Sequence, residues 1–398
     1  MNTIEIHTYK DRYPTRFVLP RQSRHSIKFK RFIPGRYLHS TYDGAALIQR
    51  LAPPDLTHAW NRVPLNSGKF IMSFESHLPR MFSGGAPGEK AFSEWMGERI
   101  CSNDCRRITA LSHYAKRQFL KQHRNDPNLP DMVKKLIVRY PNFEVSDRPD
   151  LAPRLPSDPL KVAFVGGHFA RKGGLSVLRL AELCAAQNLP VEFTLVSGLC
   201  MGRAVWTDPS NSEFYEPYEK LYSLPNVSMV PSLPNAEIRE LFARSDLSLL
   251  PTFADTFGYS AVESMAEYCP AIVSDSGVFP EFITHGENGY LLPIETNELG
   301  TWPGTRQYDQ RHTAAFEKQF SEQVDRFAED ALKIVMRILD HPETLTEMRS
   351  KARDTVERLF TAKVSAAFWD NAYERYAAEP TEDEPVNGPL DVDSPSLV

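Results

Sequence analysis

The chain reads as an α/β protein made of two doubly wound, Rossmann-like domains, and three observations predict it. Short apolar runs alternate with helical patterns over residues 160–300, the order expected of a parallel sheet covered on both faces. A proline-rich stretch, RPDLAPRLPSDPL at 148–160, separates that region from the first 150 residues. Prolines so closely spaced admit neither a helix nor a central strand, so the stretch reads as a stiff linker. Finally, 398 residues exceed what one core usually serves, at about 100–200 residues per domain.

Composition removes several classes. With 41% hydrophobic and 24% charged residues the chain can build real cores. No apolar run approaches the roughly 18 residues of a membrane span. The opening MNTIEIHTYKDRYPTR lacks the apolar segment of a secretory leader, and five scattered cysteines suit a reducing compartment. A cytoplasmic protein is therefore expected. Cys101 and Cys105 have no second Cys/His pair at zinc spacing and read as buried thiols. The net charge of −5 conceals an asymmetry: residues 1–150 hold 25 Lys and Arg against 14 Asp and Glu, whereas 151–398 hold 21 against 37. The basic part suits an anionic partner, such as the inner face of a membrane, or simply attraction between domains. Nucleic acid is not an expected partner.

The elements follow in order. The first 60 residues have weak periodicity and are read only coarsely. KFIMSF and CRRITALS resemble buried strands, HYAKRQFLKQH a helix after the second, and KKLIVRYPN a strand ending at Pro141. Beyond the linker, KVAFVGG is a strand. The helix after it places Val177, Leu180, Ala181, Cys184 and Ala185 on one face. VEFTLVSG, NVSMVPS, LSLLP, AIVSD and GYLLP are further strands; NAEIRELFARS and SAVESMAEY are helices. Helical patterns resume at 314–339 and 345–378. The last twenty residues carry six acids, four prolines and no Lys or Arg, and read as a disordered tail. Asp391 and Asp393 lie there without a strand to position them.

Two segments carry chemistry. The first is VGGHFARKGG, Val165–Gly174, between a strand and a helix. Glycines let the backbone turn tightly, the helix start offers free N–H groups, and Arg171 and Lys172 add cations, a combination suited to phosphate. A plain strand-to-helix turn is the alternative. The second is LSLLPTFADTFGYSAVESMAEYCPAIVSD at 247–275. Asp255 sits on its loop and Glu263 on its helix, and two carboxylates can accept paired hydrogen bonds from vicinal hydroxyls of a sugar or ribose. Taken alone, Glu263 also reads as ordinary charge at a helix start.

Together, in this order and about 90 residues apart, these segments resemble the C-terminal domain of retaining GT-B glycosyltransferases, glycosyltransferase family four (glycosyl transferases group 1). Members show a Gly-rich loop ending in Lys-Gly and then P-S-x-x-E-G-F-G-x-x-x-x-E-A-M-A; here the latter reads PTFADTFGYSAVESMA. The resemblance is strong over 160–300 and implies a GT-B fold, two domains facing across a cleft. It divides the chain into an acceptor-binding domain (1–150), a linker (151–160), a nucleotide-sugar domain (161–354), a C-terminal helix packing back on the first domain (355–378) and the acidic tail (379–398).

It also implies site residues. Arg171 and Lys172 would hold the diphosphate of a nucleotide-sugar donor (UDP- or GDP-linked), with Gly166 and Gly167 beside them. Glu263 would bind the ribose and Asp255 the transferred sugar. The backbone of Phe257, Gly258, Tyr259 and Ser260 would line the same pocket, and Ser232 and Leu233 would lie near the base. Glu75 and His77, after KFIMSF, are the acceptor-side candidates, with Arg80 and His113 weaker ones. The acceptor would be a glycan, a lipid-linked sugar or a small molecule. No metal or other cofactor is implied, because cations of the chain face the diphosphate. The chain departs from the pattern at four positions: Asp255 replaces a Glu, Thr256 and Tyr268 replace glycines, and Gly167 stands where many members have Arg. These departures leave open a nucleotide- or glycan-binding relative without catalysis, and an epimerase on the same architecture.

Overall fold

The computed structural model describes residues 3–10, 15–80, 88–145 and 156–378. Most of the proline-rich stretch and the whole acidic tail, with Asp391 and Asp393, lie outside the described residues. The chain divides into two compact units, residues 1–144 with 359–398, and residues 145–358.

The first unit runs β1 (Glu5–Tyr9), α1 (Thr15–Val18), β2 (Ser26–Lys30), β3 (Phe32–Pro34), β4 (Ala45–Ile48), β5 (Leu56–Trp60), β6 (Val63–Pro64), β7 (Phe70–Phe74), α2 (Glu89–Cys101), β8 (Cys105–Ala110), α3 (His113–Gln122), α4 (Leu129–Lys135) and β9 (Leu136–Val138). Six strands form a parallel sheet in the order β2-β1-β5-β7-β8-β9, and β3-β4-β6 form a small second sheet. In β5 and β7 every residue is buried, as in parallel strands covered on both faces. The weak pattern of the first 60 residues has a physical cause. β1 buries the polar His7 and Thr8, and β2 is an edge strand with its middle exposed, so neither shows clean alternation.

The second unit runs β10 (Leu160–Val165), α5 (Gly174–Ala186), β11 (Val191–Val196), α6 (Glu216–Glu219), β12 (Val227–Val230), α7 (Asn235–Arg244), β13 (Leu247–Leu250), α8 (Tyr259–Ala266), β14 (Ala271–Ser274), β15 (Gly289–Leu292), α9 (Ala314–Asp340) and α10 (Glu343–Leu359). Its sheet is wholly parallel, ordered β12-β11-β10-β13-β14-β15. The chain thus winds outward from β10 in one direction, then returns to start again at β13. Open α/β sheets hold ligands at such a reversal, outside the carboxyl ends of the strands. Buried Phe316, Phe320, Val324, Phe327, Ala331 and Val335, three or four residues apart, give α9 the stripe that packs on α5. α10 is fastened by a buried ion pair, Arg349 Nη2 to Asp246 Oδ1 at 2.5 Å, and Asp246 Oδ2 also accepts from the Lys161 N–H at 2.8 Å.

The helical pattern at 345–378 is two helices. Thr361 has extended backbone and its side chain accepts from the Val364 N–H, so it ends one helix and caps α11 (Ala362–Ala377). Trp369 and Tyr373 of α11 pack on Ile6, Leu56 and Ile71 of the first unit's sheet.

Candidate active site

Two short loops lie at the reversal of the second unit's sheet, 166–173 after β10 and 251–258 after β13. Each turns immediately into a helix, and each turn depends on a glycine. Gly173 (φ +88) precedes α5, and a side chain there would strike the Pro251 carbonyl. Gly258 (φ +75) precedes α8, where a side chain would strike the Phe279 ring. Both helices therefore present their N-terminal N–H groups and positive dipole ends at the switch point.

The loops are tied to each other. Thr252 Oγ1 and the Phe253 N–H both donate to the Arg171 carbonyl at 2.9 Å. The Phe253 ring stacks on Phe320 with centroids 4.0 Å apart, which roots the second loop in the core. Across this junction Lys172 Nζ donates to Asp255 Oδ2, while the Phe257 N–H donates to Oδ1 at 3.3 Å. The Asp255 side chain is only 7% exposed. Burial raises its proton affinity, but the Lys172 and Arg171 cations outweigh it and hold the carboxyl below its usual range. It is a carboxylate at neutral pH.

Arg171 donates to the Ala254 carbonyl and, through Nε at 3.1 Å, to His168 Nδ1. Burial, then the Arg171 and Lys172 charges, push the His168 imidazole down, so it is neutral and can accept that bond. Gly166 packs against the Lys172 stem, whereas Gly167 faces open space.

The fold thus brings Arg171, Lys172, Asp255, Gly166 and Gly258 together. Phe257 is buried and its ring lies 5.3 Å from that of Tyr259; Tyr259 and Ser260 are half-buried on the first turn of α8. Glu263 is one turn further along the same helix, and its Oε1 accepts from Asn235 Nδ2 on α7 at 3.0 Å. Ser232 and Leu233 follow β12, two strands from β10 in the sheet, with Ser232 exposed.

In the first unit Glu75 follows β7. Its N–H donates to Asn61 Oδ1 at 3.2 Å, and its Oε1 accepts from Arg80 Nη1 at 3.4 Å. His77 is exposed beside Ser76, and His113 begins α3. Among the described residues no group of three or more His, Cys, Asp or Glu is placed to hold a metal ion.

One buried carboxylate of the second unit, close enough to feel the Arg171 charge, carries no sequence signal. Asp208 is fully buried, Oδ1 accepts from Thr207 Oγ1 at 2.9 Å, and Oδ2 has no hydrogen-bond partner. Burial pushes its carboxyl up to about 7, although Arg171 and Arg311 pull the other way. Its loop is held by Arg311, whose Nη1 donates to the Asp208 carbonyl at 2.9 Å from 103 residues away, so no local pattern could reveal it.

Comparison with known proteins agrees with this geometry. Residues 150–299 match the family described as glycosyl transferases group 1. The D-inositol 3-phosphate glycosyltransferases of Mycobacterium tuberculosis and Mycobacterium bovis are 28% identical over 216 residues, 52% of this chain and 41% of theirs. The match therefore spans less than half the length of these relatives. Among solved structures, Anabaena HepE, in complex with UDP-glucose, superposes with a TM-score of 0.55 at 13% identity, covering 94% of this chain and 98% of that one. Sucrose-phosphate synthase from Thermosynechococcus elongatus gives 0.53 at 15%, covering 93% and 88%. Residues 150–299 thus carry a glycosyl transferases group 1 domain, and the chain has the fold of the GT-B glycosyltransferases.

Proposed function

We propose that this chain is a retaining glycosyltransferase that moves a sugar from a nucleotide-sugar donor, a UDP- or GDP-sugar, to a glycan, lipid-linked or small-molecule acceptor. The observation that carries the reading is the Lys172–Asp255 contact at the switch point, with two glycine-started helices aimed at the same place. Cations and N–H groups so arranged suit a diphosphate; a buried carboxylate among them suits sugar hydroxyls.

In this reading the diphosphate lies on Arg171, Lys172 and the N–H groups near Gly166, Gly167 and Gly258. As the glycosidic bond breaks, negative charge grows on the leaving phosphate oxygen, and fixed cations stabilise that state more than the ground state. Lys172 then exchanges part of its contact with Asp255 for the phosphate, leaving the carboxylate free to orient the sugar. Glu263 holds the ribose, and Ser232 and Leu233 border the base. The departing phosphate takes the acceptor proton, so transfer occurs on the face the leaving group vacates and the anomeric configuration is kept. Side-chain cations take the charge-neutralising role, and no metal is required. The first unit, with Glu75 and His77, is assigned the acceptor. HepE binding UDP-glucose supports a uridine donor.

The test is a panel of UDP-, GDP- and ADP-sugars with the full chain, read by thermal shift and by product anomer. One nucleotide class should stabilise the protein by about 2–3 kcal/mol at a hundredfold excess over its Kd, and its sugar should be transferred with retention. Nucleotide binding without donor turnover would instead support the non-catalytic reading. Interconversion of the donor sugar without an acceptor would support the epimerase.

A further inference from the structure

Among the described residues twelve large hydrophobic side chains are exposed, and six of them, Phe29, Ile33, Tyr37, Leu38, Leu47 and Leu51, fall within 23 positions. The topology gathers four of these into one structure. β3 and β4 form an antiparallel hairpin in which Ile33 lies directly opposite Leu47 and Phe32 opposite Ile48. Ile48 is buried and Phe32 half-buried, whereas Ile33 and Leu47 are each 44% exposed, so the outward face of the hairpin carries an apolar cross-strand pair. At the hairpin's turn Tyr37 and Leu38 are 74% and 85% exposed. Side chains on a strand alternate faces, which places Arg31 and Gln49, the next outward positions, beside the Ile33–Leu47 pair. Both are exposed, and Gln49 N–H donates to the Arg31 carbonyl at 2.9 Å.

The charges near this hairpin in sequence are mostly cationic, although Lys28 is taken up by an ion pair with Glu5. Residues 26–54 contain Lys28, Lys30, Arg31, Arg36 and Arg50 and a single acid, Asp43. Asp43 is buried and paired with Arg62 at 2.9 Å, with Arg36 at 3.9 Å, so it adds no exposed negative charge. Apolar side chains projecting from a turn, an amphipathic tyrosine among them, with exposed Arg31 and Arg36 on the same hairpin, make a surface for entering a headgroup layer. Each half of this arrangement favours a bilayer with anionic lipid: the leucines and isoleucine require hydrocarbon, and the cations require negative charge beside it.

We propose that the β3–β4 hairpin is a docking surface for an anionic lipid bilayer, with Tyr37 and Leu38 entering the interface and Arg31 and Arg36 meeting the headgroups. The proposal does not depend on donor identity or on turnover in the second unit.

The test is co-sedimentation of the full chain with phosphatidylcholine vesicles and with vesicles containing phosphatidylglycerol. It is run at about 0.1 M and about 1 M salt, between which the Debye length falls from about 10 Å to about 3 Å. The expected result is binding to the anionic vesicles at low salt, weakened at least about tenfold by high salt or by neutral lipid. Tyr37→Ser/Leu38→Ser, which keeps every charge, should weaken binding by about tenfold or more, since only apolar entry is lost. Arg31→Gln/Arg36→Gln should reduce the preference for anionic vesicles while leaving the apolar turn intact. Both variants change exposed side chains, so thermal unfolding and nucleoside diphosphate binding should match the parent protein. The proposal is overturned if the parent ignores anionic vesicles, or if the Tyr37/Leu38 variant binds them as well as the parent does. A concentration-dependent dimer that the same variant dissolves, without vesicle binding by the parent, would assign the face to a second copy of this chain instead.

Discussion

The two units build their switch points in opposite ways. Both sheets are parallel, and both reverse their winding once: between β10 and β13 in the second unit, and between β1 and β5 in the first. In the second, each strand is followed by a loop of about eight residues and then a helix, with glycines fixing both turns. In the first, β5 is followed by Asn61 (φ +54) and Arg62 and then another strand. There Arg62 is held by buried Asp43, and its carbonyl accepts from Tyr9 Oη at 2.8 Å. Charges are paired at both reversals, but Arg62 pairs with Asp43 between two strands, whereas Lys172 pairs with Asp255 on glycine turns at the N-terminal ends of two helices. A shared sheet topology thus fixes where a ligand can sit; the connections decide what surrounds the charges there.

The largest effect should come from the cation itself. Lys172→Ala should lower donor turnover by about 10²–10³, roughly 3–4 kcal/mol of transition-state stabilisation. Lys172→Arg should recover only part, because a planar fork does not replace a compact ammonium. Turnover should persist in excess EDTA. Turnover near the parent level in Lys172→Ala, together with abolition by EDTA, would falsify the cation clamp.

The comparison of the glycines is next in size. Gly173→Ala combines a left-handed φ with a collision against the Pro251 carbonyl and should cost about 2–4 kcal/mol of stability. Gly88→Ala in the first unit, also left-handed but facing open space, should cost only about 1 kcal/mol. Denaturant midpoints for the two variants measure the difference, and equal losses would show that the second unit's turn is no more constrained than an ordinary helix start.

The two carboxylates should then separate. Glu263→Gln should weaken a free nucleoside diphosphate by about tenfold, the scale of one hydrogen bond to a charged group. Asp255→Asn should mainly lower turnover, since the proposed reading sets it at the sugar and not the nucleotide; titration calorimetry beside single-turnover kinetics distinguishes them. Equal losses of nucleotide affinity would reassign Asp255. In the first unit, Glu75→Gln should raise the acceptor KM by no more than about tenfold and leave hydrolysis of the donor unchanged. The smallest effect belongs to Gly167→Ala, which meets nothing within 4 Å and should stay within about 0.5 kcal/mol in stability. A large loss of nucleotide affinity at unchanged stability would place the ligand directly against that backbone.

How far the sequence could be read follows the same division. The strands and helices of 160–300 were legible because each is a short local unit with its own period, and the site loops were legible because their glycines, cations and carboxylates are contiguous with those units. The strands β1 to β4 were not: β1 buries His7 and Thr8, and the β3–β4 sheet exposes Ile33 and Leu47, so hydropathy points the wrong way at both. The break at Phe360–Thr361 was missed because apolar spacing continues across it, while the cap that ends the pattern is a backbone conformation.

By itself, then, the sequence determined the parallel α/β architecture and the Gly-rich and Asp255–Glu263 segments with their cations and carboxylates, since these depend on local periodicity and on side-chain chemistry. Only the tertiary structure decided that Lys172 meets Asp255 across 83 positions, that Arg311 holds the loop of Asp208, and that Arg349 locks α10 to Asp246. Each of these joins groups that no period relates. Their charges are tolerable in a dry interior only once the fold has set a partner beside them.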